Sequence, residues 1–163
     1  HIRSGSSTRI LGRQLIIHVE SAKQKRIVKN DNKLFLYTTN PDDQLEINKQ
    51  FKNWWQRSSK EYFNEIVDEL HPIIQKHGIE KPRVMVKKMT TLWGSCSKKT
   101  GRINLNYYLY KASVPCIQYV ILHEMTHFLH PHHNKDFYDF LTIYMPDWQE
   151  RKKKLDYEIV LGV

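Results

Sequence analysis

Residues 121–133 read ILHEMTHFLHPHH and hold five of the chain's nine histidines. Within them, HEMTH at 123–127 has the form H-E-x-x-H. Four residues make about one helical turn, so His123 and His127 leave a helix on the same face and can grip one divalent cation. Glu124 stands one residue further round, able to reach a water on that cation without being a ligand. A metal that acidifies water and polarises a carbonyl, with a carboxylate to take the proton, is the apparatus of hydrolysis. The pattern is short and also arises by chance, in a helix with one buried and one exposed histidine. Here the preceding residues, YVIL, are apolar and hold the helix in a core. Two imidazoles and a carboxylate buried there need partners for their polar atoms. That context favours a metal centre.

A catalytic zinc usually takes three protein ligands and leaves a place for water. His130, His132 and His133 are the choices for the third. His130 falls close to the expected helix end and leans away. Pro131 turns the chain and can bring it back under the metal, which favours a ligand at 132 or 133. Offsets of 123, 127 and 133 match H-E-x-x-H-x-x-G-x-x-H, the metzincin spacing, with His130 where that pattern has Gly. His133 is therefore preferred to His132, and one Zn²⁺ per chain is expected. Cys96, a thiol near the motif, is a weaker alternative ligand.

The elements that must position these residues follow from pattern. LIIHV and KLFLYTT read as strands separated by the turn chemistry of KNDNK, the start of a hairpin-rich sheet. PDDQ at 41–44 opens a long helix whose apolar residues, from Leu45 to Ile74, recur at helical spacing, with Pro72 as a kink or stop. Its aromatic residues read as core. RVMVKKM and Arg102–Asn106 alternate like strands. VPCIQYVILHEMTHFLH reads as one helix capped by Ser113 and closed by Pro131. Asn134–Tyr144 and a segment from Asp147 to Tyr157 read as two more. The fold class is α+β. Residues 1–45 form an N-terminal β-rich extension and 46–163 the core, the two making one compact unit.

Trp93-Gly94-Ser95-Cys96 precedes the motif helix. It reads equally as a ledge for an extended peptide, with Gly94 admitting close backbone approach, and as a packed Trp in a tight turn. An oxyanion donor is needed for attack on a carbonyl; Tyr107, Tyr108, Tyr138 and Tyr144 are the choices, and none is singled out. Arg151–Lys154 is a charge run, read as a solvated helix end that also suits an anionic partner.

At 163 residues and 40% hydrophobic, the chain suits one domain with a real core. No run of about 18 apolar residues is present, so no membrane partner is expected. The start, HIRSGSSTR, lacks an initiator Met and an apolar signal core and reads as a truncated end rather than a targeting peptide. Two isolated cysteines point to a reducing compartment, hence a cytoplasmic location, with no disulfide framework. The net charge is +9, and residues 81–163 hold 13 Lys and Arg against 7 Asp and Glu. Such a surface attracts polyanions, though from charge alone a solvated basic face is the preferred account.

The stretch from Thr90 to Trp148 resembles the YgjP-like family of metal-dependent hydrolases, relatives of the SprT-like and WLM zinc metallopeptidases. WGSC, INLN, YVILHEMTH, HHNKDFY and MPDW occur in that family's order and spacing over residues 88–150. The resemblance weakens toward the N-terminal half, around FKNWW. It implies a zincin-like metallopeptidase core, with ligands His123, His127 and His133 and Glu124 as general base. It also implies that WGSC, including Trp93, Gly94 and Ser95, borders a substrate cleft. The leading expectation is a zinc-dependent metallopeptidase with a peptide or protein substrate. Its rivals are a nucleotide (phosphoanhydride) hydrolase on the same site and a nucleic-acid-associated protein or protease of DNA-bound proteins.

Overall fold

The computed structural model describes residues 2–160; His1 and 161–163, the outer ends of the expected extension and core, lie outside them. Four strands open the chain: β1 (Ser7–Ile10), β2 (Arg13–Ser21), β3 (Arg26–Asn30) and β4 (Lys33–Thr38). Asp31, in the middle of KNDNK, turns β3 into β4 with φ of 59°. The β1–β2 turn uses Leu11 (φ 53°) and Gly12 (φ 80°). Left-handed backbone costs a leucine roughly 1–2 kcal/mol. Tertiary bonds hold it there: the Leu11 and Gly12 N–H groups donate to the carbonyls of Tyr110 and Lys111. The two hairpins join through β2 and β4, which pair in parallel, giving the order β1-β2-β4-β3. Strand alternation buries Leu15, Ile17, Leu34 and Leu36 on the inner face and turns His18, Phe35 and Tyr37 outward.

Helix α1 (Gln44–Gln75) begins at Asp43, whose carboxylate accepts from the Glu46 N–H at 3.2 Å. Pro72 lies inside its last turn, and the helix runs on to Gln75. Its buried stripe carries Trp55, 1% exposed, which stacks on Tyr107 at 5.6 Å and meets Tyr110 edge-on at 5.2 Å. The Trp55 indole N–H donates to the Tyr107 carbonyl at 2.8 Å, so the buried ring leaves no polar atom unpaired. The aromatic residues of this helix pack as expected.

A second sheet holds β5 (Arg83–Lys87), β6 (Gly94–Ser97) and β7 (Arg102–Asn106) in the order β5-β7-β6. Strand β6 is its edge and runs antiparallel to β7. A 3₁₀ turn (Tyr107–Lys111) leads into α2 (Val114–Thr126), followed by α3 (Lys135–Tyr144) and α4 (Trp148–Val160). Buried residues of both sheets and of all four helices join one hydrophobic cluster. Among the described residues, no helix is long and apolar enough to cross a membrane.

Three local readings change. The motif helix ends at Thr126 rather than beside Pro131: the N–H groups of His127, Phe128 and Leu129 turn to carbonyls three residues back. This tightening fits the exclusion of α geometry just before a proline. Ser113 makes no side-chain cap; its hydroxyl donates to Cys116 Sγ at 3.1 Å, and its N–H meets the buried Glu158 carboxylate at 3.3 Å. The negative charge at the start of α2 thus comes from α4, 45 residues away. Arg151–Lys154 lies in the first half of α4, not at a helix end.

Candidate metal centre

His123 lies in the last turn of α2, and His127 caps its C-terminal end. Past Thr126 the chain turns through Pro131 and returns His133 to them. His133 Nε2 lies 3.2 Å from His123 Nε2 and 2.9 Å from His127 Nε2. Around a tetrahedral ion with bonds of 2.0–2.1 Å, neighbouring donors stand about 3.3 Å apart. Three imidazole nitrogens at nearly that spacing fit one cation. Among the described residues these three histidines are the group able to hold a metal.

Their surroundings prepare them as ligands. His127 Nδ1 lies 3.2 Å from the Pro131 carbonyl. A carbonyl only accepts, so Nδ1 carries the hydrogen and the Nε2 lone pair faces the cluster. Burial, then the neighbouring His127 and His133 rings, pulls the His123 imidazole down to about 3. Burial and His133 lower His127 too. Both rings are therefore neutral near pH 7, the form that binds metal. Phe137, fully buried on α3, touches all three imidazoles, its ring centre 4.7–4.9 Å from theirs. It gives the site an apolar wall that the histidine pattern did not announce; F-Y in HHNKDFY is where it stood in the sequence.

Glu124 is buried, with one carboxylate oxygen 4.0 Å from His123 Nε2. Burial pushes its carboxyl up to about 7. It therefore titrates where a general base must work. Gly94 on β6 makes room for it. A Cβ there would meet Glu124 Cγ at 3.0 Å, Glu124 Oε2 at 3.3 Å and the Asn104 carbonyl of β7 at 3.2 Å. The close approach that Gly94 permits is thus to Glu124. Since the β7 backbone cannot yield, Gly94→Ala is expected to displace the Glu124 carboxylate. Hydrolytic activity should fall by at least about tenfold, because small misplacements of a reacting group are costly. Metal content, measured beside it by elemental analysis, should stay at the wild-type level.

A cleft of about 530 Å³ spans Trp93–Cys96, Glu124 and the three histidines. Asn106, 4% exposed, holds one rim: its side-chain amide donates to the Met89 and Leu92 carbonyls at 3.0 and 2.9 Å. Ser95 Oγ accepts from Asn104 Nδ2 at 3.1 Å. Lys98 and Lys152 also face the cleft, so part of the basic run on α4 belongs to it.

The remaining histidines and tyrosines separate clearly. His132 is exposed, and His130 packs on Phe140 at 5.6 Å. Cys96 borders the cleft but stands outside the ligand group, its thiol pushed up to about 12 by burial and then by Glu124. Both cysteines are free. Of the oxyanion choices, Tyr107 is locked against Trp55, and Tyr144 packs on Phe140. Tyr108 lies under Lys88 and Lys111, and Tyr138 is 6.2 Å from His133. Tyr119, passed over in the sequence, lines the cleft edge-on to His123 at 5.8 Å. Its spacing of four residues from His123 was the available signal.

An α+β core that converges three imidazoles and a buried carboxylate on the edge of a small sheet is the arrangement of a metallopeptidase. The model of the family described as YgjP-like, metallopeptidase domain, matches residues 1–158, so the N-terminal sheet is included. This chain belongs to that family. Its structure is similar to the crystal structure of the metallopeptidase zymogen of Methanocaldococcus jannaschii jannalysin, with a TM-score of 0.50 and 27% sequence identity. That similarity covers 60% of this chain and 96% of the other. The search of curated proteins found no match.

Proposed function

We propose that the chain is a zinc-dependent peptidase in which His123, His127 and His133 hold the ion and Glu124 is the general base. The observation that carries this reading is the convergence of three Nε2 atoms at 2.9 and 3.2 Å beside a carboxylate titrating near 7. Zinc, when bound, supplies an acidified water and a Lewis acid for the scissile carbonyl. The chain does the rest. Glu124 takes the proton from the attacking water and hands it to the leaving amine. The free edge of β6 offers backbone groups to which an extended peptide can add as a further strand. Trp93, Gly94 and Ser95 would then border the bound peptide. Tyr119 lines the cleft beside His123, and burial holds its phenol protonated up to about 12, which supports it as the donor to a developing oxyanion.

A second reading is favoured by one observation. Lys98 and Lys152 line the cleft alongside Glu124 and Asp156, and a nucleotide phosphoanhydride held by the two lysines is then the bond attacked. One paired assay decides. Cleavage of an unfolded protein such as reduced casein, abolished by a chelator and restored by one equivalent of zinc, is the expected result. Pyrophosphate release from nucleoside triphosphates without peptide cleavage would replace the peptidase with the second reading.

A further inference from the structure

The outer face of the N-terminal sheet carries an aromatic row that the cleft does not use. His18 and Phe35 stack with ring centres 5.2 Å apart and planes at 23°; Phe35 and Tyr37 follow at 6.3 Å and 17°. Arg26, opposite Tyr37 in the strand register, lays its guanidinium 4.4 Å from the Tyr37 ring centre. Val28 and Ile16 flank the row, 41% and 38% exposed. A sheet normally turns its rings inward; here the inner face is filled by Leu15, Ile17, Leu34 and Leu36, and the rings stand on the other side.

Arg26 also joins this face to a second cleft, of about 340 Å³, between β3 and α1. Lys25, Lys49 and Arg57 line that cleft with it. Glu46 is the one acid among the described lining residues, and it pairs with Lys25 at 2.8 Å. Glu46 also lies in the field of Lys49, so Arg26 and Arg57 are the lining cations that it does not serve. Gln50 pins α1 to the sheet here, donating to the Tyr37 and Arg26 carbonyls at 2.9 and 3.3 Å. On the face itself Lys33 adds a cation, and Glu20, opposite Tyr37, is the acid beside the row.

Nearly parallel rings, joined through Arg26 to a basic cleft, suit a ligand that carries both π faces and negative charge. An acidic peptide supplies the charge without the faces. Duplex DNA keeps its base faces inside the stack. We propose that this surface binds a single strand of nucleic acid, with bases stacking on His18, Phe35 and Tyr37 and phosphates lying along Arg26, Lys49 and Arg57.

The test is fluorescence anisotropy on the full, zinc-loaded chain. The probes are labelled oligothymidylate and oligouridylate of about 12 nucleotides and a duplex of equal length, across a salt series. A single strand should bind more tightly than the duplex at every salt concentration, with log affinity falling linearly as log salt rises. Whichever of the two strands binds more tightly identifies DNA or RNA as the partner. Joint Phe35→Leu and Tyr37→Leu substitution keeps apolar strand residues while removing the rings. It should weaken single-strand binding at least tenfold, since stacking contributes about 1–3 kcal/mol per base. Casein cleavage and zinc content should not move. Arg26→Gln, a surface change, should weaken binding and flatten the salt slope. Equal binding of duplex, no binding at about 50 mM salt, or ring-free and Arg26→Gln variants that both bind like wild type would overturn the proposal.

Discussion

Glu124→Gln is expected to abolish hydrolysis while leaving zinc in place. The amide keeps the size and shape of the carboxylate against Gly94, so neither sheet nor helix need adjust. It cannot accept a proton. General bases contribute roughly 10²–10⁴ in rate, and a fall of kcat by that order, with about one zinc per chain still bound, is the result expected from casein cleavage and elemental analysis. A second readout is independent of turnover. Burial holds the Glu124 carboxyl at about 7 in the metal-free chain, so at pH 6 it is mostly protonated. A cation beside it favours the carboxylate and lowers that value, so zinc binding at pH 6 should release a proton. Calorimetric heats should then vary with the ionisation enthalpy of the buffer for the wild type and much less for Glu124→Gln. Full activity in the variant would remove Glu124 from the mechanism.

His133→Ala is expected to cost the site its metal. His123 on α2 and His127 at its C-cap would remain, but two imidazoles leave zinc with half of its usual protein and water shell. The fall in zinc affinity should be at least about 100-fold, in line with or beyond what loss of a supporting group alone produces. Competition with a chromophoric chelator would measure it. Secondary structure should be unchanged, since His133 is exposed and contributes little to the core. His132→Ala is the matched control, one residue away and likewise exposed, and it should retain the metal. Equal loss in both variants would mean that the 131–134 turn, rather than the His133 ring, is what the metal needs.

The site was more legible in the sequence than the scaffold. HEMTH fixes its own geometry, because one helical turn is a property of the backbone and not of the fold. Pro131 narrowed the third ligand to His132 or His133, and the metzincin offsets preferred His133. Less could be read where the partner is distant in sequence. Gly94 looked like a substrate ledge, and nothing local to WGSC announces that its missing side chain is filled by Glu124, thirty residues on. Phe137 was one more apolar residue on an amphipathic helix until the fold set it against three imidazoles. Nothing near Glu158 in the sequence announces that it completes the start of α2. The parallel pairing of β2 and β4 was hidden for the same reason: hairpin signals report neighbours in the chain, and this pairing skips β3. The nucleic-acid expectation rested on bulk charge and on the SprT-like resemblance; the register that sets Arg26 opposite Tyr37, on which the proposed surface rests, was not legible in either.

The three imidazoles fall within eleven residues, from His123 to His133. The entropy of closing a loop grows with its length, so cross-linking so short a segment confines few conformations of the unfolded chain. Metal binding here is consequently a local event. An ion held by the three histidines would fasten the turn after α2 to the helix before it, while the packing around Trp55, Leu34 and Ile103 would form without reference to it. Folding and loading become separate steps, unlike those of a zinc finger, whose fold exists only with its ion. A cell could hold a pool of folded, metal-free chains and switch them on by supply of the ion alone.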